Sequence, residues 1–142
     1  MADNITTETR SKIMRSIRSK SNLENLFCSK LWHRGLRFRR NVPSLFGKPD
    51  IAIKKYKFVV FIDSCFWHFC PRHGHFPKSN KEYWDKKIYR NVLRDYKVGN
   101  YYISKRWHVL RIWEHQIKDD LDRCVEYVIQ YIEKIKEDQN AK

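Results

Sequence analysis

The sequence predicts an α/β fold in one domain spanning residues 1–142: a mixed sheet flanked by helices, interrupted by a single loop dense in Cys and His. Three observations carry this. Apolar runs of strand length occur at 51–53, 58–62 and 107–113, and stretches with helical apolar spacing precede, separate and follow them. No Pro/Gly linker, internal repeat or low-complexity tract divides the chain, and its length supports a core without disulfide staples.

In chain order, residues 1–20 read as a basic arm, with Arg10, Lys12, Arg15, Arg18 and Lys20 around Ile13, Met14 and Ile17. Fraying is the ordinary fate of such an end; the alternative is an arm that orders on phosphates and offers Met14 to a base step. Ser21-Asn22-Leu23-Glu24 has the form of a capping box opening a first helix through Leu26, Phe27 and Leu31, and Gly35 stands where a helix end takes a left-handed residue. Capping is the ordinary role for Glu24; holding a water on a nearby metal is the functional one. Cys28 reads as a buried or half-buried thiol. Leu36–Arg39 alternates like a half-buried strand, and 43–49 is a turn-rich connection.

Asp50 follows Pro49 into the short strand 51–53, and after a turn at 54–57 the strand 58–62 ends at Asp63. The two strands are expected to be antiparallel neighbours, with register deciding whether the two acids converge. Converging, they make an oxygen-rich site for Mg2+, which takes one or two protein carboxylates and keeps its waters. Such an ion stabilises charge on a phosphodiester and acidifies a bound water, which is hydrolytic nuclease chemistry. His68 is then a nearby base or acid, with zinc ligation or an ordinary surface position as equal readings.

Asp63 to His73 packs an acid, two thiols, two imidazoles and three aromatic rings into one loop. Cys65-x4-Cys70-x2-His73 supplies three zinc ligands and needs a fourth; His115 is the candidate, with His75 and Cys124 as rivals. Phe66 and Trp67, held between ligands in a basic chain, suit stacking on bases as well as core packing. Four cysteines could instead pair as disulfides, but the close Cys65/Cys70 pair beside His favours metal.

Ser79-Asn80-Lys81-Glu82 repeats the capping box before a second helix running to about Val98, where Gly99 ends or bends it. Lys86, Lys87, Arg90, Asn91, Arg94 and Lys97 populate its other sides, as a solvated face or as phosphate contacts. A strand at 107–113 and a final amphipathic helix at 117–136 follow, with Cys124 packing inside it and 137–142 expected as a disordered tail. Thirty Lys and Arg against 16 Asp and Glu give a net charge of +14 and a pI near 9.8, which calls for a polyanionic partner, most simply nucleic acid. No apolar run approaches membrane-spanning length and the first residues lack the apolar core of a signal peptide, so a cytoplasmic protein is expected.

Lys-Pro-Asp at 48–50, Val-Phe-Ile-Asp-Ser-Cys-Phe-Trp-His at 60–68, Cys-Pro-x-His at 70–73, Asn-x-x-Arg-Asp at 91–95 and Trp-x-Val-Leu-Arg-Ile-Trp-Glu-His at 107–115 resemble the very short patch repair (Vsr) DNA mismatch endonucleases. The similarity runs from about Thr9 to the last helix. It implies a restriction-endonuclease-like fold and a nick 5′ to the T of a T·G mismatch, the lesion left when 5-methylcytosine deaminates in the site of a cytosine-5 DNA methyltransferase. By position it implies Asp50 as Mg2+ ligand, His68 as catalytic base or acid, and Glu24 as support for the hydrated metal. It further implies Cys65, Cys70, His73 and His115 as zinc ligands, and Phe66 with Trp67 as a wedge opposed by Met14. Arg15, Asn91 and Arg94 become DNA contacts, the protein a monomer, and MutL a possible partner. Family members differ at the position of Asp63, where His also occurs. Its carboxylate is therefore a Mg2+ ligand, an outer partner, or a bystander to the Ile62 carbonyl. No Lys stands two residues beyond it, which leaves proton transfer to His68.

Overall fold

The computed structural model describes residues 7–64 and 81–141, with the side chains of 9, 13, 16–20, 81 and 84 left aside. Helix α1 (Thr7–His33) is followed by strands β1 (Arg39–Arg40), β2 (Ile51–Ile53) and β3 (Phe58–Asp63), a 3-10 turn at Lys54–Tyr56 joining the last two. Helix α2 (Lys81–Ser104), strand β4 (His108–Trp113) and helices α3 (Glu114–Asp119) and α4 (Leu121–Asn140) complete the chain. The expected mixed sheet is present, ordered β1-β2-β3-β4, antiparallel at the first two pairings and parallel between β3 and β4.

Strand β3 is buried along its whole length because both sheet faces are covered. On one face Phe58, Val60 and Ile62 meet Phe27 and Leu31 of α1, Ile117 of α3 and Val125, Val128 and Ile132 of α4. On the other, Val59 and Phe61 meet Val98 and Tyr102 of α2. Alternation along one strand thus divides the core into two layers.

The boundaries differ from the sequence expectation in four places, each for a local reason. Helix α1 begins at Thr7, so the expected arm is helical from that residue on and Ser21 lies inside the helix rather than at its cap. No Gly or Pro interrupts 7–33, and a capping box cannot start a helix that is already propagating. The expected strand at 36–39 shrinks to Arg39–Arg40, because Leu36 donates its amide to the Leu31 carbonyl (3.2 Å) and Gly35, at φ +92°, closes the helix end. Helix α2 runs through Gly99 to Ser104: Val98 and Tyr102 are buried on either side, and their packing outweighs the roughly 1 kcal/mol that an interior glycine costs. The last helix is two, split where Asp120 accepts a hydrogen bond from the Arg123 amide (3.1 Å) as the cap of α4, and it continues to Asn140 through residues expected to be a disordered tail.

The loop between β1 and β2 is fastened at both ends. The amides of Asn41 and Val42 bond the carbonyls of Asp50 and Pro49 (3.1 and 3.2 Å), and the Tyr102 hydroxyl donates to the Phe46 carbonyl. Gly47 carries φ +77°, and a Cβ there would meet Val98 Cγ1 at 2.6 Å, so this turn is pressed onto α2. Asp50 leaves the loop at a determined place. Among the described residues no helix is long and apolar enough to cross a membrane.

Candidate active site

Asp50 precedes β2, and its carboxylate turns inward: the Ile62 amide of β3 donates to Oδ2 at 2.7 Å. The side chain takes the place of a ladder partner where the pairing of Ile51 with Val60 has ended. It is half-buried, while Oδ1 accepts no hydrogen bond among the described residues.

From α1, Glu24 reaches the same end of the sheet, 7 % exposed and with Arg40 Nη2 3.7 Å from its Oε1. Arg40 also donates to Asn25 Oδ1 at 2.8 Å. Cys28, one turn after Glu24, reports the charges around it: burial pushes its thiol up to about 11, Arg40 pulls it down, and Glu24 and Asp50 push it further up. Two carboxylates and a guanidinium therefore share one neighbourhood with a neutral thiol. This has a pH signature. The folded chain keeps a proton that the unfolded chain releases above 9.0, so stability falls as pH rises from there toward about 11. From pH 8 to pH 10 the parent is expected to lose about 1 kcal/mol more than Cys28→Ala, read as a difference in thermal midpoints. Equal losses would remove the thiol from this account.

Asp63 has an arginine partner that its place in the sequence does not announce. It is 5 % exposed, and Arg111 Nη1 donates to both of its oxygens, at 2.8 and 3.1 Å. The guanidinium lies over the Phe61 ring with 4.5 Å to its centroid, and Nη2 donates to the Asp95 carbonyl of α2 at 3.2 Å. Arg111 was missed at the level of sequence, though one charged residue in the run His108–Trp113 is a signal: a cation in a strand beside a buried one needs a partner.

Of the remaining expected residues, His68, Cys65, Cys70, His73, His75, Phe66 and Trp67 lie outside the described residues, as does the start of the second capping box. His115 is half-buried in α3 and shares with Cys124 the wall of a cavity of about 610 Å³ between β4 and the two last helices. Met14 is 48 % exposed and Arg15 is exposed; Arg94 is exposed and Asn91 half-buried on α2. Lys86, Arg90, Arg94 and Lys97 are exposed at spacings of four, four and three, which makes one basic stripe along that helix. Alongside it Tyr89, Leu93 and Tyr96 are exposed as well.

Among the described residues no three His, Cys, Asp or Glu side chains gather closely enough to enclose a metal ion. The donors the described fold supplies are oxygens around Asp50. A carboxylate with one oxygen held by an amide and the other without a hydrogen bond among the described residues fits a hard, hydrated cation such as Mg2+, not a thiolate-seeking one.

A half-buried carboxylate fixed at a sheet end beside a second one, in a chain with a large cationic surplus, defines a class: an enzyme that cleaves nucleic acid. The sequence pattern of the DNA mismatch endonuclease Vsr family matches residues 2–74. A type II nicking enzyme of Neisseria meningitidis serogroup C, V.NmeDIP, is 40% identical over 134 residues, which cover 92% of this chain and 90% of the relative. V.HpaIIP of Haemophilus parainfluenzae is 43% identical over 115 residues (78% and 82%), and the DNA mismatch endonuclease Vsr of Escherichia coli K12 is 38% identical over 120 (80% and 74%). The chain belongs to the Vsr family of DNA mismatch endonucleases, and its substrate is DNA.

Proposed function

We propose that this protein is a Mg2+-dependent endonuclease that nicks one strand of duplex DNA 5′ to the T of a T·G mismatch, starting the repair of deaminated 5-methylcytosine. The observation that carries the reading is the Asp50 carboxylate, held by the Ile62 amide with Glu24 in the same neighbourhood. Mg2+ bound there supplies charge neutralisation at the phosphodiester and a more acidic water. Asp50 would hold the cation, and because its Oδ2 already accepts from the Ile62 amide the carboxylate is oriented before DNA arrives. Glu24 would support the water of the hydrated ion. His68 takes the proton of the attacking water or gives one to the leaving oxygen.

The loop after β3 is assigned a structural zinc held by Cys65, Cys70, His73 and His115. Phe66 and Trp67 enter the base stack beside the mismatch from one side and Met14 from the other. Unstacking costs least at a weakened pair, which gives the wedge its preference for a mismatch. Arg15, Asn91 and Arg94 contact the DNA backbone or base edges. The protein acts as a cytoplasmic monomer alongside a cytosine-5 DNA methyltransferase, with MutL as a further partner. Cleavage of both strands of matched DNA is the competing reading. Relatives named as nicking enzymes favour a single-strand cut.

The test is a nicking assay with Mg2+ on duplexes that carry T·G or T·A at one position, flanked by a library of bases. One cut 5′ to the mismatched T, at least a hundredfold faster than on T·A, is the expected result. Cleavage of both strands of the T·A duplex would select a restriction-type enzyme, and binding without cleavage a DNA-binding module.

A further inference from the structure

The basic stripe and exposed rings of α2 belong to the DNA face already proposed. The aromatic groove by Trp32 and Phe38 is partly covered by Arg37, whose guanidinium lies 4.0 Å from the Trp32 ring centroid. The ion pair inside the sheet carries more.

We infer that Arg111 is a positioning residue for the cleavage reaction, and that Asp63 is its anchor and not a ligand of the catalytic cation. The inference rests on the proposed function and deepens it. Arg111 grips β3 on both sides of residue 62: its guanidinium covers the Phe61 ring on one side and bonds both oxygens of Asp63 on the other. The residue between them, Ile62, donates the amide that holds Asp50 Oδ2. A third attachment, to the Asp95 carbonyl, fixes α2 to the same point. One side chain on β4 thus sets the backbone that orients Asp50, and does so through β3 without touching Asp50 itself.

The charge bookkeeping points the same way. Asp63 is almost fully buried and its carboxylate is already matched by a cation at hydrogen-bond distance. Taking it for a metal would part the half-buried Arg111 guanidinium from its nearest carboxylate, at 2.8 Å, and leave it, among the described residues, only that of Asp95 at 3.8 Å, and breaking such an ion pair is unfavourable. A carboxylate anchor at this position also explains how the site works with a single inner-sphere acid, since Mg2+ needs no more than one or two.

The experiment is a double-mutant cycle on the full chain with Asp63→Asn, Arg111→Met and both together, with Arg111→Lys as the conservative comparison. Thermal midpoints without added Mg2+ or Mn2+ are expected to drop by roughly 10 °C for each single change, and by less than the sum for the pair. Additive drops overturn the clamp. Mn2+ affinity by calorimetry is expected to stay within threefold of the parent in Asp63→Asn, or in the double variant should the single one not fold. A larger loss makes Asp63 a ligand and overturns the inference. Nicking of the T·G duplex by Arg111→Met should show kcat down about tenfold with KM for DNA little changed, and Arg111→Lys should recover part of it. A change confined to KM overturns the positioning role. Should the parent itself neither bind Mn2+ nor nick, the functional proposal falls, while the thermal cycle still decides the clamp.

Discussion

Asp50→Asn is expected to reduce single-turnover nicking of a T·G duplex about a thousandfold while the thermal midpoint stays within a few degrees of the parent. The two halves of this expectation come from the two oxygens. An asparagine side-chain oxygen still accepts from the Ile62 amide, so the bond of 2.7 Å that fixes the side chain survives. What disappears is the negative charge, and with it the means of holding a hydrated cation against the phosphodiester. Loss of several kcal/mol of charge stabilisation is worth about three orders of magnitude in rate. Asp50→Ala separates the roles further: it loses charge and acceptor together, leaves the Ile62 amide in a buried strand without its partner, and should unfold a few degrees earlier as well. DNA affinity should hold or rise in both variants, because each removes an anion from a polyanion-binding face. Activity of Asp50→Asn within tenfold of the parent would remove this carboxylate from the chemistry.

The parts of this site that sequence made visible are those with local causes. Gly35 closes α1 because only a left-handed residue ends a helix that way, and the acids at 50 and 63 sit at strand ends because apolar runs stop there. Helix limits were less visible wherever continuity or packing overruled a local mark. The capping box at Ser21 is real as a pattern and idle as a cap, since the turns before it are already helical. Gly99 is a breaker by propensity and a helical residue in fact, because burial of Val98 and Tyr102 decides.

Side-chain partnership between β3 and β4 was far less visible, marked only by one charged residue in an apolar run. Asp50 and Asp63 looked equivalent from spacing, each an acid beside an apolar strand. The parallel pairing of β3 with β4 sets Phe61 opposite Arg111 and Asp63 opposite Trp113, and that register gives Asp63 to an arginine 48 residues away. Nothing near Asp63 in the chain announces it. Asp50, on the antiparallel side, meets a backbone amide instead. Long-range register, more than residue type, separates the acid paired with an arginine from the one held by a backbone amide.

The same reasoning applied to charge gives the second large effect. Through residue 113 the chain holds 25 Lys and Arg against 8 Asp and Glu; after it the balance is 5 against 8. Part of the acidic tail is occupied by α1, where Lys30 meets Asp122 at 2.8 Å and Arg34 meets Glu126 at 2.7 Å. The cationic surplus therefore belongs to the chain before α3, and DNA should reach the α2 face of the sheet, opposite the face that α4 covers. If six or more phosphates are neutralised there, affinity for a mismatched duplex should fall about a thousandfold between 50 and 200 mM salt. Arg90→Ala, in the exposed stripe of α2, should lower the slope of log affinity against log salt by about one. Lys134→Ala, exposed on α4, should leave it unchanged. The contrast makes the assignment specific, because a chain that binds merely by net charge would respond equally to both changes. Equal slopes in the two variants would mean that the stripe on α2 does not face DNA.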